Sequence, residues 1–377
     1  MSEAEPSSEG VKIDASETSS LQRRRTGSSG PITNASGWDG KLRMQPRSAT
    51  LANPEALEDS DYSDPDAPPV DEIAADEDLL DEWPLDEDEI DLVHRQVSSL
   101  PALRLERFKN LKRLCLRQNA IQHFELPQSV ADGLLELELY DNLLKSIEGF
   151  QDLKHLTTLD LSFNKIKTIK NISHMTSLKE LFFVQNRISK IENLTNLGSV
   201  RMIELAGNRI REIENLEPLK SLEELWLAKN KITTIANLSA LTSLRLLDLK
   251  SNRLRQISGL DSLLNLEELY LSHNTIGKLE GLDNNVKLRV IDISSNPVDH
   301  LENISHLKSL EEFWASGCQI SNFHEVEREL KDKANLETVY FEQNPLETNG
   351  PALYRNKIRL ALPQVKQIDA SQFSARF

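Results

Sequence analysis

The chain has 377 residues, 44 of them Lys or Arg and 60 Asp or Glu, for a formal net charge of −16. The acidity is local: residues 55–91 hold 18 acidic residues and no basic one, whereas residues 92–377 carry 37 basic and 36 acidic residues. Two cysteines in the whole chain exclude a disulfide scaffold and suit a reducing compartment, and no apolar run approaches the ~18 residues needed to span a bilayer.

Residues 1–85 are rich in Ser, Pro, Gly, Asp and Glu and show no apolar periodicity. Such a segment cannot bury enough surface to offset ordering entropy, which predicts a disordered acidic tail. Its start, Met1-Ser2-Glu3-Ala4-Glu5, is no signal peptide. Arg23-Arg24-Arg25 fits a nuclear localisation signal or a basophilic kinase site at Thr26 or Ser28. Ser60 and Ser63 lie among acids, as acid-directed kinases prefer, so the tail is expected to be a phosphorylated or merely solvated linker.

From residue 86 the chain changes character. Asn142, Asn164, Asn186, Asn208, Asn230, Asn252, Asn274 and Asn296 lie at a strict 22-residue interval, with Asn119 before them, Cys318 continuing the step and Asn344 closing it after 26 residues. Each follows the pattern of Leu159-Asp160-Leu161-Ser162-Phe163-Asn164. This is the leucine-rich repeat, L-x-x-L-x-L-x-x-N/C-x-L, in about eleven copies, with a weaker one near Ile90-Asp91-Leu92 making twelve. The predicted fold is an α/β solenoid over 86–345: a parallel concave sheet, 3₁₀ or extended segments on the convex side, and a leucine-rich-repeat cap over 346–377. Tyr354, Ile358, Ala361 and Leu362 have the spacing of a capping helix. Each ladder Asn or Cys is read as structural, because a buried amide must find partners and can bridge successive turns. The N-x-S/T matches at Asn171, Asn193, Asn237 and Asn303 arise from the repeat and are expected to stay unglycosylated.

In each L-x-L strand the leucines point inward and the middle residue faces out. The middle column reads Cys115, Glu138, Asp160, Phe182, Glu204, Trp226, Asp248, Tyr270, Asp292, Trp314 and Tyr340. Five are aromatic and five acidic, although aromatics make up only 5% of the chain, so composition does not account for the row. The outward residue two positions earlier contributes Glu136, Glu180, Glu224, Glu268 and Glu312, with Arg113 at the start. Exposed Trp and Tyr on a long face mark a protein-binding surface. Ten strand spacings of about 4.8 Å suit a folded partner, and the carboxylates favour a basic one.

No catalytic or metal-binding spacing is present: the eight histidines form no H-x-x-x-H pair, the cysteines are far apart, and there is no phosphate loop or nucleophile elbow. An open sheet offers no desolvated pocket for a carboxylate pair, so neither an enzyme nor a cofactor is expected. Acidic neighbours disfavour nucleic acid as a ligand of the rings. The remaining readings are a recognition subunit or another intracellular adaptor of the repeat class, such as a splicing or cytoskeletal scaffold.

The 22-residue form resembles the leucine-rich-repeat regulatory subunits of protein phosphatase 1 known as regulatory subunit 7, over roughly residues 86–377. The resemblance is carried by Leu114-Cys115-Leu116-Arg117-Gln118-Asn119, Tyr140-Asp141-Asn142, the stretch Arg187 to Leu194, Leu269 to Asn274, Ile304-Ser305-His306-Leu307 leading to Glu312-Phe313-Trp314, and Leu362 to Ala370 at the cap. It implies a non-catalytic, nuclear and cytoplasmic subunit whose concave face grips the phosphatase catalytic subunit, with room for a third regulatory protein. Carried over strand by strand, it assigns partner contacts to Asp160, Phe182, Glu204, Trp226, Asp292, Glu312, Trp314 and Tyr340. Trp226 departs from the family, which usually has Phe there. The R/K-V/I-x-F/W docking peptide of other phosphatase regulators is absent.

Overall fold

The computed structural model describes Asp76 and residues 78–372, with the side chains of Ser371 and Gln372 outside that description. The expected tail up to residue 75, with its arginine and serine motifs, lies outside the described residues. One sheet of fourteen strands organises the rest, ordered as in the sequence. Its strands are β1 (Glu89–Asp91), β2 (Arg113–Cys115), β3 (Glu136–Glu138), β4 (Thr158–Asp160), β5 (Glu180–Phe182), β6 (Met202–Glu204) and β7 (Glu224–Trp226). Then follow β8 (Leu246–Asp248), β9 (Glu268–Tyr270), β10 (Val290–Asp292), β11 (Glu312–Trp314), β12 (Thr338–Tyr340), β13 (Gln367–Ile368) and β14 (Ser371–Gln372). All neighbours pair in parallel except β13 with β14.

Strands β1 to β12 are each three residues long because the repeat leaves no more: the next leucine already turns toward the ladder position. Leu159, Leu161, Ile166, Ile169, Ile172, Met175 and Leu178 of one copy are all buried against the copies on either side. Each buried aliphatic side chain contributes about 2 kcal/mol, but only if its neighbour copy is present. Between Asn142 and Cys318 the convex side carries no helix, only extended segments and single turns of the 3₁₀ type, such as Leu197 N–H to the Leu194 carbonyl and Val200 N–H to the Leu197 carbonyl. The longer step from Cys318 to Asn344 has room for α2 (Phe323–Leu330), while α1 (Gln128–Ala131) occupies the 23-residue step before Asn142.

The ladder is built as a repeated clamp. Asn164 Nδ2 donates to the Leu139 carbonyl of the preceding copy at 2.8 Å and to Leu161 of its own at 3.1 Å, while its Oδ1 accepts the Leu144 N–H at 2.9 Å. Asn208 repeats this on Phe183, Leu205 and Ile188. Cys318 keeps only weak donations, Sγ to the Ile293 carbonyl at 3.3 Å and to the Ser316 carbonyl at 4.0 Å. Seven residues after each ladder asparagine stands a second row: Gly149, Asn171, Asn193, Asn215, Asn237, Gly259, Gly281 and Asn303, all at positive φ. A left-handed backbone admits Gly and Asn at least cost, and the asparagines add a bond, Nδ2 to the carbonyl 24 residues earlier at 2.7–2.9 Å. Four of these are the N-x-S/T asparagines, whose side-chain nitrogen is thereby engaged.

Both ends are closed. Packing begins before residue 86: Leu80 is 1% exposed, and Asp76 Oδ2 accepts the N–H groups of Ser98 and Ser99. The ordered unit thus includes a lead-in that the polar composition of the tail concealed. At the other end α3 (Pro345–Thr348) leads into α4 (Pro351–Ala361), which buries Tyr354, Ile358 and Ala361. Asp369 then accepts the last free N–H groups, of Phe341 and Glu342, together with the Tyr354 hydroxyl. Among the described residues no helix is long and apolar enough to cross a membrane.

Candidate functional site

The outward faces of β4 to β12 form one surface, and its composition alternates. In β5, β7, β9 and β11 the last residue is a ring (Phe182, Trp226, Tyr270, Trp314) and the first residue is Glu180, Glu224, Glu268 or Glu312. In β4, β6, β8 and β10 the last residue is an acid (Asp160, Glu204, Asp248, Asp292), and the first is Thr158, Met202, Leu246 or Val290. The pattern therefore repeats every 44 residues, two copies at a time. Register places Asp160 beside Phe182, Glu204 between Phe182 and Trp226, and Asp292 between Tyr270 and Trp314. Two interlaced zigzags result, one of carboxylates and one of apolar groups. Carboxylates thereby avoid standing directly opposite each other, which would oppose folding. Glu138 and Asp160 are the exception, and Glu138 is held by Arg113 at 2.8 Å and Arg117 at 3.5 Å.

The zigzags are joined within each strand. Trp226 Nε1 donates to Glu224 at 3.1 Å, the Tyr270 hydroxyl to Glu268 at 2.7 Å, and Trp314 Nε1 to Glu312 at 2.9 Å. Trp226, Tyr270 and Trp314 are thus each pinned by the acid two positions before them. Tyr270, Trp314 and Tyr340 form a cluster, with centroids 6.2 and 5.7 Å apart in edge-on contact. Such contacts stabilise a pair by about 0.5–1.5 kcal/mol beyond area burial and hold the rings rigid.

This crowding corrects one expectation. The middle column was expected to face solvent throughout, yet Asp248 and Asp292 are only 3% and 4% exposed, and Cys115 is buried as well. The rings of Tyr270 and Trp314 close across Asp292, and the Lys250 ammonium lies 3.3 Å from Asp248 and over the Tyr270 ring. The shorter aspartates also bend back to the backbone: Asp160, Asp248 and Asp292 each accept the N–H two residues on, from Ser162, Lys250 and Ser294. The remaining members of the column, from Phe182 to Tyr340, are half-buried.

Electrostatically the centre of the sheet is an acid trough. Burial raises the Asp160 carboxyl above its usual range, with the Glu138 charge adding to it. Burial likewise raises Asp248, against the opposing pull of Lys250. For Glu204, burial together with the charges of Asp160 and Asp248 pushes the carboxyl up to about 7. Among the described residues Asp160, Glu204 and Asp292 have no cation within ion-pair distance, whereas Glu138 and Asp248 do.

One cluster escaped the sequence reading because it lies outside the strand positions. Tyr140 and Phe163 meet at a tilt, with centroids 4.7 Å apart, and the Arg117 guanidinium lies 4.5 Å over Tyr140. Phe163 is 40% exposed and holds φ at 56°, an uncommon conformation for a bulky residue. Its signal was an aromatic at a turn position that elsewhere holds Asp, Gln, Gly, Lys, Ser or His.

These features define a leucine-rich-repeat protein. A family model described as "Leucine Rich repeats (2 copies)" matches residues 220–262 and 264–309, and one described as "Leucine-rich repeat" matches residues 134–228. The fold is shared with an internalin of Listeria monocytogenes, at a TM-score of 0.63 and 20% identity over 76% of this chain and 87% of that one. More particularly, the chain is similar to the protein phosphatase 1 regulatory subunit SDS22 of Saccharomyces cerevisiae, 49% identical over 105 residues, 27% of this chain and 31% of that protein. It is similar also to the protein of that name from Schizosaccharomyces pombe, 51% identical over 91 residues, 24% of this chain and 26% of that protein. The chain thus spans less than a third of the length of these relatives, and the resemblance to leucine-rich-repeat phosphatase regulators stands on that segment.

Proposed function

We propose that this chain is a non-catalytic regulatory subunit that holds the catalytic subunit of protein phosphatase 1 against its concave sheet, in the nucleus and cytoplasm. The observation that carries the choice of partner is the 49% identity to a protein named as a regulatory subunit of that phosphatase. The geometry supports the mode. Rings pinned by glutamates lose little freedom on docking, so their apolar area counts toward affinity. Asp160, Glu204 and Asp292, left without cations of their own, would complement basic groups on the partner. Tyr340 and Trp314 close the row at the cap end, where a rigid edge-on cluster makes an anchor. A third protein binding the assembly would do so on surfaces outside this row.

The test is capture of the phosphatase catalytic subunit by the purified chain and by the variant carrying Trp314→Ala with Asp292→Ala, after circular dichroism has verified the fold. Loss of one central aromatic anchor commonly weakens binding by about 2 kcal/mol, some thirtyfold, and the pair should lose more. Glu138→Gln, whose carboxylate Arg113 already neutralises, serves as the contrast and should bind nearly as wild type. Undiminished capture by the double variant rejects the site.

A further inference from the structure

The loop edge of the solenoid, where the chain leaves each strand, carries a row of like charge. Lys165, Arg187, Arg209, Lys231 and Arg253 each directly follow a ladder asparagine, in five consecutive copies. Their backbone N–H groups donate to the carbonyls of Leu144, Ile166, Ile188, Ile210 and Ile232, at 2.8 Å in every case. These bonds set five cationic side chains in one file at the strand pitch of about 4.8 Å. Beyond a single buried aliphatic residue, Lys167, Arg211 and Arg255 add a second file beside it. The row stops at Leu143 on one side and Thr275 on the other. Among the described residues none of these eight cations forms an ion pair, although Lys170 and Lys190 nearby do, with Glu148 and Glu214.

The opposite rim of the same sheet shows that the fold does not require this. There Arg201, Glu223, Arg245, Glu267, Arg289 and Glu311 alternate in sign, and consecutive members pair, Arg245 with Glu267 at 2.9 Å and Arg289 with Glu311 at 2.7 Å. Like charges on neighbouring strands oppose folding. A single-sign file retained over five copies, opposite a rim that alternates, has its explanation outside folding.

We infer that this file is a docking surface for an extended, Asp/Glu-rich segment of a partner protein, separate from the ring-and-carboxylate row. Four pitches of about 4.8 Å match about six residues of extended chain. The positive strip is narrow, bordered by Glu192, Glu212 and Glu214 on one side and by Asp160 and Glu204 of the concave sheet on the other. A nucleic-acid duplex would overhang both acidic borders. A single strand would find no ring within the two files on which to stack its bases, which is the main sequence-tolerant source of such affinity. A peptide of acids fits between the borders.

The experiment uses the full chain and a fluorescein-labelled peptide of ten Glu residues, read by fluorescence anisotropy at two salt concentrations, with no phosphatase present. Its outcome is therefore independent of the function proposed above. The variant is Arg187→Glu with Lys231→Glu, which makes the file alternate in sign as the opposite rim does. It should melt no lower than wild type, yet bind the peptide about tenfold or more weakly. The control, Lys109→Glu with Lys308→Glu, makes the same change in net charge off the row and should bind as wild type. Failure of wild type to bind, equal losses in both variants, or tighter binding of an oligonucleotide of ten thymidines or of a ten-pair duplex than of the peptide would each overturn the inference.

Discussion

Glu204 is the carboxyl whose ionisation the fold disturbs most in the concave row. Burial, then the charges of Asp160 and Asp248, pushes its carboxyl from 4.5 up to about 7. The folded chain therefore keeps a proton that the unfolded chain has released, and unfolding stability falls as pH rises through that interval. The stability contribution is fully present below about pH 4.5 and is lost as pH rises through about 7. Glu204→Gln copies the neutral state. It should leave the urea midpoint unchanged near pH 4.5 and raise stability by on the order of 1–3 kcal/mol at about pH 8. A gain of equal size at both values would show that ionisation is not the cause. A basic group brought over Glu204 by a partner would draw the carboxyl back to its charged form, so association near neutral pH should release a proton. At this scale the sequence was only partly readable. Alternation along a strand says which way a side chain leaves the backbone, and it found the rings and acids. It does not say that Tyr270 and Trp314 meet over Asp292, or that Lys250 reaches back to Asp248, because those contacts lie between copies and depend on side-chain length.

The element that repeats is one turn of the solenoid, and its integrity rests on the ladder amide as well as on its buried leucines. Asn208→Ala would leave the Ile188 N–H without its partner and take one of two amide donors from the Phe183 and Leu205 carbonyls, which keep those of Asn186 and Asn230. An unsatisfied buried donor of this kind costs about 1–3 kcal/mol, so the loss should be about 2 kcal/mol in chemical denaturation. Asn252→Ala, at the one ladder amide between Asn142 and Asn296 that is only partly buried, should lose less; the reverse order would count against desolvation as the cause. The first ladder was legible from its interval alone. The second, seven residues on, was not. Gly and Asn alternate there irregularly, and the pattern surfaced only as incidental N-x-S/T matches. Their common property is a left-handed backbone, which sequence registers as two unrelated residue types. The same reasoning explains α2. Four extra residues between Cys318 and Asn344 announced an irregular copy, but not that Phe323–Leu330 would fold into a helix packed on α4.

On the scale of the whole molecule, cooperativity passes from copy to copy, so damage at an end should stay near that end. Removing residues 346–377 strips Tyr354, Ile358, Leu362 and Ile368 from the face of β12 and leaves the Phe341 and Glu342 N–H groups without Asp369. At about 2 kcal/mol for each buried side chain, some 8 kcal/mol of packing is lost locally. Hydrogen exchange should show β11 and β12 unprotected in the truncated chain while β5 to β8 keep their protection; uniform loss would refute a nearest-neighbour description. Because Trp314 and Tyr340 stand on those two strands, capture of the phosphatase should fail with them. The alternation of ring and acid has a further outcome for a molecule made of near-identical units. A uniform row would let a ligand creep along by single units and seat itself in many equivalent places. Here, from Asp160 to Trp314, a displacement of one unit lays basic groups against rings and apolar groups against carboxylates. A displacement of two restores the match but leaves one end hanging past Tyr340, where no further unit follows. A periodic scaffold thus acquires a unique berth from the parity of its side chains and from the position of its last repeat.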